Sequence, residues 1–142
     1  MKAKTLLFLC AANSCRSQMA EGFAHKLAPR EVKVYSAGTE PKPIHPMAVK
    51  VMKEAGIDIS AQRSKSLEAI PVQTIDLVVT LCGEAAGSCP AFPAAVERLN
   101  WPLSDPALAE GNDEAVLKIF REVRDEIRAR VERLLQPYLT SQ

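Results

Sequence analysis

The run Leu6-Leu7-Phe8-Leu9 ends at once in Cys10, and the next five residues, Ala11-Ala12-Asn13-Ser14-Cys15, are all small or polar before Arg16 and Ser17. A short apolar run of this kind reads as a buried strand, so the chain carries a thiol to a strand tip. The small side chains from Ala11 to Cys15 let the backbone curl until successive N–H groups converge on one point, a concavity suited to oxyanions. Gln18-Met19-Ala20-Glu21 and Phe23-Ala24-His25-Lys26-Leu27 have helical apolar spacing, which predicts a helix from about Arg16 or Ser17. Its positive N-terminal end then faces the same point. Cys10 in that field is predicted to act as a thiolate nucleophile, because the surroundings favour the charged form. Arg16 adds a planar fork of donors for two oxygens of a tetrahedral anion, and Ser17 can donate its hydroxyl to the sulfur. The predicted cradle is therefore Ala11, Ala12, Asn13, Ser14, Cys15, Arg16 and Ser17. The alternative is that Cys10 is a small buried hydrophobe closing a core strand, the common fate of a free cysteine.

A chain of 142 residues is expected to form one domain spanning 1–142. The net charge of +1 provides no field for nucleic acid or an anionic membrane, so attraction of an anion must be local. No apolar run approaches the ~18 residues of a membrane span. The opening Met1-Lys2-Ala3-Lys4 followed by apolar residues superficially resembles a secretory signal, but it runs on into Asn13 and Arg16 without a small-x-small cleavage site. A cytoplasmic protein is expected. Cysteines stand at 10, 15, 82 and 89, and in a cytoplasmic chain they point to chemistry or metal before structural cross-links. A structural zinc site prefers pairs separated by about two to four residues; C-x4-C with C-x6-C makes a poor set, and no metal is expected.

Beyond the first helix, Val32 to Ser36 alternates as a second strand and Gly38 ends it in a turn. The loop Glu40 to Pro46 is Pro-rich, and a helix follows over roughly Pro46 to Ala55, stopped by Gly56. Asp76-Leu77-Val78-Val79-Thr80-Leu81-Cys82 repeats the opening design, a continuous apolar strand ending in a cysteine. In an open parallel sheet functional groups gather beyond the carboxyl ends of the strands, which predicts Cys10 and Cys82 on the same edge. Val96 to Trp101 is a poorly patterned fourth strand, Asp105-Pro106 lies in the loop after it, and a last helix over about Asn112 to Leu135 carries Val116, Ile119, Phe120, Val123, Ile127, Val131 and Leu134 on one stripe. The alternation predicts an α/β domain, a four-stranded parallel sheet flanked by helices on both faces with the oxyanion loop after the first strand.

The segment Cys10 to Ser17 with Asp105-Pro106 resembles the phosphate-binding and general-acid loops of the low-molecular-weight protein tyrosine phosphatases. Cys10 through Gly22, Val79 to Cys82, Cys89-Pro90, Trp101 and Asp105-Pro106 together resemble the thioredoxin-coupled arsenate reductases built on that fold, and the likeness covers nearly the whole chain. The resemblance implies reduction of arsenate to arsenite: Cys10 attacks arsenic, Arg16 and the loop amides hold the oxygens, and Asp105 protonates the departing hydroxide. Cys82 then attacks Cys10, Cys89 attacks Cys82, and thioredoxin reduces the resulting Cys82–Cys89 disulfide. Thioredoxin supplies the electrons, so no bound cofactor is implied, and a monomer is expected. Any helix from Cys82 to Cys89 must unwind on oxidation, since seven residues of helix rise about 10.5 Å while bridged Cα atoms sit about 5.5–6 Å apart.

Two alternatives stand beside this expectation: a low-molecular-weight tyrosine phosphatase, and an arsenite-binding or metal-binding thiol protein without turnover. Phosphatases of this fold usually place a tyrosine pair after the Asp-Pro, where this chain has Ala107-Leu108, which weakens the first. Cys15 has no required role in the relay. Some reductases of the family hold potassium through residues matching Asn13, Glu21 and Ser36 plus an acidic side chain at the position of Lys65. The lysine here is expected to supply the positive charge itself, steadying Asn13 and Glu21.

Overall fold

A computed structural model describes residues 4–81 and 96–140. Its first strand, β1 (Thr5–Cys10), is buried at every position, which only a central strand covered on both faces can be. It pairs in parallel with β2 (Lys33–Gly38) on one side and β3 (Leu77–Thr80) on the other, and β3 pairs in parallel with β4 (Glu97–Asn100), giving the order β2-β1-β3-β4. All four carboxyl ends therefore lie at one edge, as the alternation of elements predicts.

Side chains alternate across β1. Leu6, Phe8 and Cys10 enter the larger core with α1 (Arg16–Leu27), α2 (Pro46–Glu54) and α3 (Asp113–Thr140). Leu7 and Leu9 pack on the opposite face against Ile70, Ile75 and Val78, under two short 3-10 turns at Leu67–Ala69 and Val72–Thr74. No described helix is long and apolar enough to cross a membrane.

Several elements differ in extent from their predicted bounds, each for a visible reason. Gly38 is the last residue of β2 rather than a turn beyond it: it pairs with Cys10 and bridges to Ser66. Strand β3 runs from Leu77 to Thr80, although Asp76 and Leu81 still bond the neighbouring strands through their main chains, and the Asp76 carboxylate also accepts from the amides of Lys4 and Thr5 at 2.9 Å each. Strand β4 is poorly patterned because it is an edge strand, exposed at all four positions. The core stripe of α3 keeps the predicted Phe120, Val123, Ile127 and Val131, but Leu117 and Leu135 join them in the core, with Val116, Ile119 and Leu134 at its margin. Cys82 and Cys89 lie outside the described residues.

Candidate active site

The loop from Cys10 to Cys15 is held entirely from its outer side. Thr39 N donates to the Cys10 carbonyl, Glu40 N to that of Ala11, Lys42 N to Ala12, and His45 N to Ser14. Gln18 Nε2 donates to the Asn13 carbonyl at 3.0 Å, and Met19 N to that of Cys15 at 2.9 Å. Every described peptide is trans, so each N–H in the loop points away from the carbonyl of its own peptide unit. Six outward carbonyls therefore turn the amides of residues 11 to 16 toward the inner side. The Pro-rich loop after β2 thus supplies the scaffold that shapes the cradle.

Cys10 Sγ lies at the focus. It accepts from Asn13 N at 3.3 Å and sits 2.9 Å from Ser17 Oγ. Helix α1 begins at Arg16 with Cys15 at its cap, where no side chain bonds the first-turn amides and no acidic residue offsets the dipole. These donors and the positive helix end remain available to an anion. Asn13 takes a left-handed φ of 50° to complete the curl. Gly38 lies so close under it that a Cβ there would meet Ala11 O at 2.7 Å and Asn13 N at 2.8 Å. A side chain at 38 would push the loop out of shape.

Arg16 is almost wholly buried. Its Nη1 donates to the Leu103 carbonyl at 2.8 Å, its Nη2 faces Asp105 Oδ2 at 3.4 Å, and its Nε is buried with no protein partner among the described residues. An unpaired buried donor costs roughly 1–3 kcal/mol, a penalty that an oxyanion in the cradle relieves. Asp105 caps the 3-10 turn Pro106–Leu108 by accepting from Ala107 N at 3.0 Å. The loop after β4 thereby meets the loop after β1, joining two residues that stand far apart in the sequence.

A polar network backs the sulfur. Asn13 Nδ2 donates to Ser17 Oγ at 2.8 Å and to Ser36 Oγ at 3.0 Å, while Ser36 makes a short hydrogen bond to Glu21. Burial works to raise the Glu21 carboxyl, but hydrogen bonds from His25 and Ser36 and the charge of Lys65 outweigh it and hold it below the ordinary value. Lys65 Nζ stands 3.5 Å from Glu21 Oε1 and 3.4 Å from Ser36 Oγ. It steadies Asn13 through its backbone, whose N–H donates to Asn13 Oδ1 at 2.9 Å, and not through the ammonium as predicted. A potassium ion does not fit among oxygens that an ammonium already faces, since two cations there would repel. Exchanging potassium for sodium at constant ionic strength is expected to leave the reaction rate unchanged; marked activation by potassium would contradict this.

Burial pushes the Cys15 thiol up to about 12. It is therefore a neutral packing residue, and Cys15→Ala is expected to keep turnover within about twofold, since only a thiolate attacks readily. Peptide mapping after iodoacetamide treatment at pH 8 should find Cys15 unmodified, whereas rapid labelling would contradict its inertness.

The structure thus brings Cys10, Ala11 to Cys15, Arg16, Ser17 and Asp105 to one place. The grip of Gln18 on Asn13 and that of the Leu103 carbonyl on Arg16 were not legible in the sequence. A glutamine at the start of an apolar helix carries no signal of what it bonds, and a backbone acceptor carries none at all.

The sequence pattern of the low molecular weight phosphotyrosine protein phosphatase family matches residues 5–141. The chain belongs to this family. Among other members, the arsenate reductase of Halalkalibacterium halodurans is 54% identical over 131 residues, 92% of this chain and 94% of that protein. A solved arsenate reductase in its phosphate-binding state superposes with a TM-score of 0.77 at 38% identity, covering 95% of this chain and 98% of that one. The thioredoxin-dependent arsenate reductase of Corynebacterium glutamicum superposes with a TM-score of 0.74 at 31% identity, covering 97% of this chain and 63% of that one. A low-molecular-weight phosphatase cradle, with its thiol at the focus of inward amides, is therefore the frame in which the chemistry of this chain is to be read.

Proposed function

We propose that the chain is an arsenate reductase that works by a thiol–disulfide relay. The observation that carries this is the set of six outward-bonded carbonyls around Cys10, which leaves the loop amides and Arg16 to hold a tetrahedral oxyanion against the sulfur. Arsenate has the shape and charge of phosphate and fits the same cradle. The relatives described as arsenate reductases over most of this chain support that choice of substrate.

Hydrolysing a phosphate ester changes no oxidation state and needs one thiolate; reducing As(V) to As(III) takes two electrons, which a dithiol supplies on closing a disulfide. In the proposed sequence Cys10 Sγ bonds arsenic, and Asp105 protonates the departing oxygen, which leaves as water. Arg16, held in place by Leu103 and Asp105, presents its guanidinium to the oxygens as charge builds there. The Cys82 thiolate then attacks Cys10 Sγ; the S–S bond forms, and the electron pair of the S–As bond leaves with arsenic as arsenite. Cys89 attacks Cys82, releasing Cys10 as thiolate and leaving a Cys82–Cys89 disulfide. Reduced thioredoxin, a dithiol, closes the cycle in a reducing cytoplasm, with support from the thioredoxin-dependent relative. Leu81 N donates to the Leu9 carbonyl at 3.0 Å, so the chain enters the segment containing Cys82 from beside the Cys10 end of β1. After Asp105-Pro106, Leu108 is exposed where an aryl phosphatase would offer an aromatic wall, which favours a small inorganic substrate.

The test is to treat reduced protein with one equivalent of arsenate and map disulfides by mass spectrometry, then add either thioredoxin with its reductase or glutathione with glutaredoxin. The proposal expects a Cys82–Cys89 disulfide and renewed turnover with thioredoxin. Arsenate left unreduced while an aryl phosphate is hydrolysed would give the phosphatase instead.

A further inference from the structure

We propose that Gln18 is a positioning residue for Cys10, the middle of a one-way chain of hydrogen-bond donors that runs from Gln62 to the sulfur. The inference rests on Cys10 being the nucleophile of the proposed reaction.

The Gln18 side chain is fully buried, and a buried amide must find partners for both ends. Its Nε2 lies 3.0 Å from Asn13 O, 2.9 Å from Asn13 Oδ1 and 2.9 Å from Arg63 O. Two of these acceptors are backbone carbonyls, which fixes the nitrogen end of the amide; with two hydrogens for three acceptors, one is shared between the two Asn13 oxygens. The oxygen end accepts from Gln62 Nε2 at 2.8 Å, and the same nitrogen donates to the Gln18 carbonyl at 3.0 Å, so Gln62 is fixed too.

Asn13 is oriented in the same way. Its Oδ1 accepts from the Lys65 backbone N–H, a donor that cannot be reversed, so Nδ2 must face Ser17 Oγ and Ser36 Oγ. Ser17 Oγ accepts from Asn13 and lies 2.9 Å from Cys10 Sγ; when the sulfur attacks as a thiolate it has no hydrogen to give, and the serine hydroxyl is the donor. Every link from Gln62 through Gln18, Asn13 and Ser17 thus donates toward the sulfur, and aligned hydrogen bonds polarise one another. Gln18 also grips the Asn13 carbonyl, so the same side chain that orients the Asn13 amide group toward Ser17 ties down the main chain of the loop at that residue. The outer end of the chain is Gln62, in the segment before Lys65, and Gln18 of α1 bonds the cradle only from behind, through Asn13.

The test uses the full-length reduced protein, with alkylation of Cys10 by iodoacetamide at pH 7 followed by peptide mass spectrometry, alongside kcat and KM for arsenate. Gln18→Met keeps length and packing but removes the donor; alkylation and kcat are expected to fall together by about tenfold, as for the loss of one net hydrogen bond of the stronger kind, with KM within about twofold. Gln18→Glu, which turns oxygens toward the Asn13 carbonyl, is expected to fall further. In a Ser17→Ala background, Gln18→Met should slow alkylation by less than about twofold more, because linked residues are not additive. Wild-type alkylation in Gln18→Met, a change confined to KM, or multiplied effects in the double variant would overturn the proposal. Should Gln18→Met fail to fold by circular dichroism, Gln62→Leu decides: a two- to threefold slowing is expected, and an unchanged rate overturns it. Because alkylation is read without arsenate, a wild type that alkylates as expected but makes no arsenite would refute the reductase proposal and leave the donor chain intact.

Discussion

Cys10→Ser is expected to form no arsenite and to lose hydrolysis of aryl phosphates as well, a fall of roughly 10^4-fold or more, as when a covalent nucleophile is removed. A hydroxyl in the same place is not ionised by the field that favours a thiolate, and an oxygen cannot close a disulfide with Cys82, so both halves of the proposed chemistry fail at one atom. The substitution is nearly isosteric at a position 2% exposed, between Asn13 N and Ser17 Oγ, and both can bond a hydroxyl. The fold should survive, with an unchanged circular dichroism spectrum and an unchanged affinity for phosphate by calorimetry. Residual arsenite formation above a tenth of the wild-type rate would place the nucleophile elsewhere.

The second large effect belongs to Arg16. Arg16→Lys is expected to lower kcat by about 10^2 to 10^3, the usual consequence of removing one donor from an oxyanion site. A lysine keeps the charge but not the fork. In the resting site the guanidinium spans the Leu103 carbonyl and Asp105 and still holds Nε in reserve, so it can take two oxygens of the anion without crossing the pocket. An ammonium can meet one oxygen at a time and leaves the Leu103 carbonyl unpaired. The loss should appear chiefly in kcat, because charge on the oxygens grows in the transition state; a change in KM alone would mean that Arg16 only binds.

Much of this architecture is written locally in the chain. The apolar runs ending at Cys10 and near Cys82, and the small residues between Cys10 and Arg16, specify two parallel strands and the loop, because burial and curl each demand a residue type. Helix α1 is legible in its start and extent, from the apolar spacing after Ser17, but not in its burial: every residue from Arg16 to Ala24 is buried, since β1, α3 and the 59–65 segment surround it, and an enclosed helix shows no polar face to mark that. The meeting of Arg16 with Asp105 and the grip of Gln18 on Asn13 depend on tertiary closure, which no local pattern encodes. Lys65 was placed beside Glu21 only by the family resemblance, and its bond to Asn13 runs through the main chain, which sequence does not display. The relay partners Cys82 and Cys89 lie outside the described residues, and their place in the account rests on chemistry and on the family.

The most direct measurement is single-turnover arsenite release from reduced protein in the absence of any external reductant, compared among wild type, Cys82→Ser and Cys89→Ser. The relay predicts one equivalent of arsenite from wild type and from Cys89→Ser, and almost none from Cys82→Ser, whose Cys10–arsenic adduct has no thiolate to resolve it. Equal release from Cys82→Ser and wild type would contradict the relay.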